Sequence, residues 1–159
     1  MEQHCAGPPR VPAELADSLG WLLARAGHAV GTALSAVLAP LGTTPRELSV
    51  LAAAAPVPRP QLGLAVAVGL DKTTMVTTVD ALERRGLVRR EQHPDDRRIR
   101  LVAVTDEGSS LLRRANEVAD DVQRELLAAL PPDERDALLP LLRALVRSAP
   151  GGTPAGSCV

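Results

Sequence analysis

The chain has 159 residues, a net charge of −1 at neutral pH and 45% hydrophobic residues. That length and balance suit one globular domain with its own core and exclude a disordered, charge-rich tail protein. No run of 18 apolar residues occurs, and the first residues lack the charged-then-apolar pattern of a secretory signal, so the expectation is a cytoplasmic protein with no membrane partner.

Residues 1–11 are rich in turn formers and read as a flexible N-terminal arm. A long helix is predicted from about Pro12 to Ala39, because Leu15, Leu19, Leu22, Ala26, Val30, Leu34 and Val37 recur at steps of three or four; Pro40 stops it. A second helix starts sharply at Thr44-Pro45-Arg46-Glu47. There Thr44 can cap, Pro45 suits the first helical position and Glu47 completes a capping box. It ends near Ala54, ahead of Pro56-Val57-Pro58.

A short third helix covers about Pro60 to Val68 and is stopped by Gly69. The fourth has Asp71 as its N-cap, runs to about Arg85 and is followed by Gly86 as the left-handed residue past its end. Residues 87–92 and 99–104 then read as two strands joined by a polar, turn-rich tip, His93-Pro94-Asp95-Asp96-Arg97-Arg98. Thr105-Asp106-Glu107 opens a long amphipathic helix, Pro131-Pro132 interrupts, and a last helix carries Leu138, Leu139, Leu142, Leu145 and Val146. Residues 149–159 read as a flexible tail.

The charge is unevenly placed. Lys72 and seven Arg face six acids in residues 71–104, while residues 105–159 carry six Arg against nine acids. A compact basic segment in a near-neutral chain points to a local polyanion site. Two short helices separated by a tight Gly69-Leu70 turn, followed by a hairpin, form the pattern of a winged helix-turn-helix, in which the second helix enters the DNA major groove. Met75, Val79 and Leu82 mark the core face of that second helix, leaving Lys72, Thr73, Thr74, Thr77 and Arg84 as candidates for DNA contact. Threonine hydroxyls at a helix start can donate to phosphate, and their methyls can touch thymine, although the same residues also fit a solvated face with one cap. At the tip, Arg97 and Arg98 can enter a minor groove, and Asp96 can hold the neighbouring guanidinium in place.

The run Gly69-Leu70-Asp71-Lys72-Thr73-Thr74-Met75-Val76, the segment Leu82-Glu83-Arg84-Arg85-Gly86-Leu87-Val88 and the stretch Pro94-Asp95-Asp96-Arg97-Arg98 through Gly108 together resemble the MarR family of transcriptional regulators. The resemblance covers roughly residues 12–148. It implies a mainly α fold with a small β-hairpin wing: a winged helix-turn-helix lobe at about 44–104, flanked by dimerisation helices at about 12–39 and 105–148. It also implies a homodimer on a palindromic operator, with Asp96 and Arg98 matching the family's wing pair. Position 77, often Arg in relatives, is Thr here, and position 76, often Ser or Thr, is Val. Pro140 falls inside the last helix, where it is expected to kink or shorten the dimer arm.

Members of the family often respond to small phenolic or lipophilic effectors, and some sense oxidants through a cysteine. Trp21, Arg25 and His28, at steps of four and three on the first helix, offer an aromatic, a cation and an imidazole as a candidate effector cradle, beside the plainer reading of core and solvated residues. Cys5 and Cys158 lie close to the two ends, and neither has CxxC spacing. The three scattered histidines and the absence of a phosphate loop or nucleophile elbow point to no enzyme, no metal and no cofactor. A winged protein-interaction module and a regulator without an effector stay open as alternatives.

Overall fold

The capping box foreseen at Thr44 is present. The Thr44 hydroxyl accepts the Glu47 backbone N–H at 3.2 Å, and a Glu47 carboxylate oxygen accepts the Thr44 N–H at 3.0 Å. The computed structural model describes residues 12–148, so the two end segments, with Cys5 and Cys158, lie outside the described residues.

In chain order, α1 (Ala13–Ala16) and α2 (Leu19–Leu38) lead through a 3-10 turn (Ala39–Leu41) to α3 (Pro45–Ala54). After β1 (Arg59–Pro60) come α4 (Gln61–Val68), α5 (Lys72–Arg84), β2 (Val88–Gln92) and β3 (Arg100–Val104), and the chain closes with α6 (Asp106–Leu127) and α7 (Pro132–Ser148). The result is mainly α with a small antiparallel sheet, as expected.

Three local features differ from expectation. The first helix is two, because the Ser18 side chain accepts the Trp21 N–H and starts a new helix inside an unbroken apolar period. The hairpin gains a third strand, with sheet order β1-β3-β2 and Arg59 paired with Val102. That strand has two residues, and Pro60 within it has no N–H to donate, so it sits at a sheet edge and doubles as the N-cap of α4. Finally, α7 runs through Pro140 to Ser148, so the proline does not shorten it.

The core lies in the winged lobe. Val50, Leu51 and Ala54 of α3, Leu64 of α4, Met75, Val79 and Leu82 of α5, Val88 of β2, Val102 of β3 and Leu111 of α6 are buried together. The core face assigned to α5 from its sequence is therefore the observed one. Gly86, at φ +69°, takes the left-handed conformation that ends α5 and turns the chain into β2. Thr105 then stitches α6 onto this turn, its backbone N–H donating to the Leu87 carbonyl at 3.1 Å and its hydroxyl to the Gly86 carbonyl at 2.7 Å.

The long helices look different. In α2 only Leu38 is buried, and in α7 no residue is. Leu19 and Leu22 on α2, and Leu141 and Val146 on α7, stand exposed. The stretch Leu19–Leu41 has 23 residues, is strongly apolar and is almost wholly unburied; by length and composition alone it suffices to cross a membrane. Arg25, His28, Thr32 and Ser35 interrupt the apolar run, which is why no uninterrupted run of 18 residues marks it in the sequence.

Candidate nucleic-acid interface

The axes of α4 and α5 turn through 111° across the Gly69-Leu70-Asp71 break, which is the geometry of a helix-turn-helix. Asp71 fixes the start of α5. One of its carboxylate oxygens accepts the Thr74 N–H at 2.8 Å and the other accepts the Thr74 hydroxyl at 2.6 Å. These bonds, the side-chain one first, hold the Asp71 carboxyl below its ordinary value.

The candidate threonines are not equivalent. Thr73 is exposed in the first turn beside exposed Lys72. Thr74 is half-buried, and its hydroxyl is already given to Asp71. Thr77 is exposed and donates to the Thr74 carbonyl at 3.0 Å. Thr78 donates to the same carbonyl at 2.7 Å and is buried, so its hydroxyl serves the fold. Arg84 is exposed near the end of α5, with its Nε 3.3 Å from the Asp80 carbonyl.

At the wing tip Asp96 and Arg98 form a clamp. One Asp96 oxygen accepts the Arg98 backbone N–H at 2.9 Å and its Nε at 3.1 Å, and the other accepts a terminal guanidinium N–H at 3.0 Å. The guanidinium bond first, and the backbone bond second, hold the Asp96 carboxyl below its usual range. The turn itself is closed by the Ile99 N–H on the Asp96 carbonyl and the His93 N–H on the Ile99 carbonyl, each at 3.0 Å. Arg97 is exposed beside the clamp.

Two ion clusters were not foreseen. Arg90 of β2 reaches Glu83 and Asp80 of α5, while its backbone N–H donates to Glu83 at 3.1 Å. Burial pulls this guanidinium down, but the hydrogen bond to Asp80 and the charge of Glu83 outweigh it, leaving the group above its ordinary value. The signal was available in the strand's alternation, since Arg90 is two residues from buried Val88 and shares its face, and an inward Arg needs acidic partners. Arg85, next to the end of α5, donates to Glu47 at 3.0 Å and to the Gly42 carbonyl at 2.6 Å, tying α5 to the capping box of α3.

Of the three residues considered for an effector cradle, one lines a cleft. A cleft of about 570 Å³ is lined by His28, Gly31, Thr32, Ser35, Thr44, Pro45 and Arg46. His28 belongs to it; half-buried Trp21 and exposed Arg25 do not line it. Its cation is Arg46, from the first turn of α3. Thr32 and Ser35 of the same cleft follow His28 at steps of four and three, so the helical period places them on its face. Among the described residues, no group of three or more His, Cys, Asp or Glu could hold a metal ion.

Helix, turn, helix and hairpin in this order, with a capped second helix and a basic tip, define a winged helix-turn-helix. The MarR family model matches residues 56–99. CouR from Rhodococcus jostii RHA1, solved with p-coumaroyl-CoA, is 35% identical; the match covers 86% of this chain and 94% of that one, with a TM-score of 0.76. The transcriptional repressor CouR on a 23-mer DNA duplex is 34% identical over 88% of this chain and 100% of that one, with a TM-score of 0.79. The transcriptional regulator HosA of Escherichia coli O111:H- is 35% identical over 88 residues, 55% of this chain; the match spans 65% of that relative's length. The chain belongs to the MarR family.

Proposed function

We propose that the chain is a transcriptional regulator, acting as a repressor in the cytoplasm, that binds a palindromic operator as a homodimer and is released by a small anionic effector. The observation that carries the DNA reading is the capped start of α5, where Lys72 and Thr73 are exposed while Met75, Val79 and Leu82 anchor the opposite face in the core. In this reading Lys72, Thr73, Thr77 and Arg84 meet the major groove or its phosphates. Thr74 supports the helix start. Arg97 and Arg98 reach the minor groove, and Asp96 orients Arg98.

The dimer reading rests on the exposed apolar faces of α2 and α7, since a second copy would remove Leu19, Leu22, Leu141 and Val146 from water. Such burial is worth about 25 cal/mol per Å² of apolar surface. This also accounts for an apolar α2 without a lipid bilayer.

The effector reading rests on the cleft at His28. Its imidazole, the Arg46 guanidinium and the hydroxyls of Thr32 and Thr44 suit a carboxylate or phenolate. The CouR structure with p-coumaroyl-CoA, whose acyl group carries a free phenol and no carboxylate, supports the phenolate half of that class. One wall of the cleft is the capping box of α3, which Glu47 joins to Arg85 at the end of α5.

The test is a duplex titration with p-coumaroyl-CoA added stepwise to the preformed complex. Salt-dependent binding with one dimer per palindrome, followed by release at rising ligand, is the expected result. Binding that no ligand of this class disturbs would leave a regulator without this effector. Failure to bind any duplex would favour a protein-interaction module.

A further inference from the structure

Asp80 and Glu83 sit on α5 one helical turn apart, and with Thr77 and Arg84 they line a single surface depression of about 440 Å³. Their side chains are 49% and 37% exposed. Two carboxylates on a helix that approaches DNA are a liability, because duplex DNA presents one negative charge per about 1.7 Å of its axis. Alone, Arg84 offsets only one of them, and its Nε is turned toward the Asp80 carbonyl.

The second positive charge comes from the wing. Arg90 lies on β2, its side chain 26% exposed, and its guanidinium pairs with both carboxylates, while its remaining reach extends to the Gln61 side chain at 3.5 Å. One residue thus joins α4, α5 and β2 and brings the depression to neutrality.

We propose that Arg90 is a charge-masking residue for DNA binding, neutralising Asp80 and Glu83 on the recognition helix so that the surface holding Thr77 and Arg84 can approach phosphate. This rests on α5 being the DNA-facing helix. It differs from direct contact, because Arg90 acts through the two acids and not on the DNA, and it differs from simple bracing, because the effect belongs to charge and should vanish once the acids are neutral.

The experiment compares the full-length wild type, Arg90→Met, Arg90→Lys and the triple variant Asp80→Asn/Glu83→Gln/Arg90→Met. Each is titrated against a random-sequence duplex at two salt concentrations, with thermal unfolding recorded alongside. Arg90→Met is expected to bind about tenfold more weakly at low salt and to lose less at high salt, where screening shortens the reach of the exposed acids. Arg90→Lys keeps the charge and should stay within about threefold of wild type. The triple variant should recover most of the lost affinity. A folded triple variant as weak as Arg90→Met would overturn the proposal, as would full affinity in folded Arg90→Met.

If Arg90→Met does not fold, the pair Asp80→Asn/Glu83→Gln decides alone: binding at least as tight as wild type supports masking, and clearly weaker binding overturns it. If wild type binds no duplex, the DNA reading fails and this inference with it. Wild-type binding with no rescue removes the inference alone.

Discussion

Asp96 accepts three hydrogen bonds from Arg98, one from its backbone and two from its guanidinium, while 91% of the Arg98 side chain stays open to solvent. The wing tip therefore holds a cation in a fixed direction without burying it. An exposed ion pair adds little to stability; in the proposed reading it preorganises the contact, since a guanidinium already aimed loses less side-chain entropy when it meets phosphate or a minor groove. Arg98→Ala is expected to leave the melting temperature nearly unchanged and to weaken operator binding about tenfold. Unchanged affinity would remove the wing contact.

The same clamp sets a pH dependence. The folded Asp96 carboxyl lies below its ordinary value of 3.8, mainly through the Arg98 side chain. A depressed folded value means that the pair's contribution is complete above the unfolded value and is lost as pH falls through the folded one. The wing is thus expected to stay clamped at neutral pH and open only in acid below 3.8. The Arg98 amide, followed by NMR, should titrate with a midpoint under that value; a midpoint above it would contradict the clamp.

Thr77 is exposed, and its hydroxyl is turned onto the Thr74 carbonyl. In the proposed reading, what it offers DNA is chiefly its methyl group, a contact suited to thymine. Thr77→Ala should change base preference at one operator position while random-duplex affinity holds. An equal loss on every sequence would make Thr77 a phosphate contact.

Gly108, in the first turn of α6, lies so close to the turn before β2 and to the end of β3 that an added Cβ would collide with the Leu87 carbonyl oxygen and sit 2.8 Å from a Val104 methyl. Neither backbone nor sheet can yield cheaply, so Gly108→Ala is expected to cost about 2–3 kcal/mol. Calorimetry checks this, and an unchanged midpoint would show that α6 shifts freely on the lobe.

The exposed faces of α2 and α7 call for a second copy. Sedimentation at micromolar concentration should show a dimer, and Leu141→Glu/Val146→Glu should give a folded monomer. A wild-type monomer would leave those faces without the cover assigned here.

Much of this was legible from residues alone because the decisive signals are local. Thr44 with Glu47, Asp71 before α5 and Gly86 after it act within one turn of chain, and the Met75-Val79-Leu82 stripe follows helical period. What escaped was either very short or nonlocal. The two residues of β1 carry no periodicity. Ser18 caps a helix inside an apolar pattern that continues across it. Arg90 reaches acids seven and ten positions away, and Arg85 reaches Glu47 thirty-eight away, pairings that exist only once the lobe has folded. The cleft at His28 was half visible, because its helix face follows from spacing but Arg46 arrives from another element.

The central claim is sequence-specific DNA binding, and one titration meets it directly. The purified protein is added to a fluorescent duplex carrying the region upstream of its own coding sequence, and to a scrambled duplex of the same composition, at several salt concentrations. Tighter binding to the native duplex, with affinity on both falling steeply as salt rises, is the expected result. Equal binding to the two would contradict specificity at that region, and no binding to either would contradict the assignment of α5 and the wing to DNA.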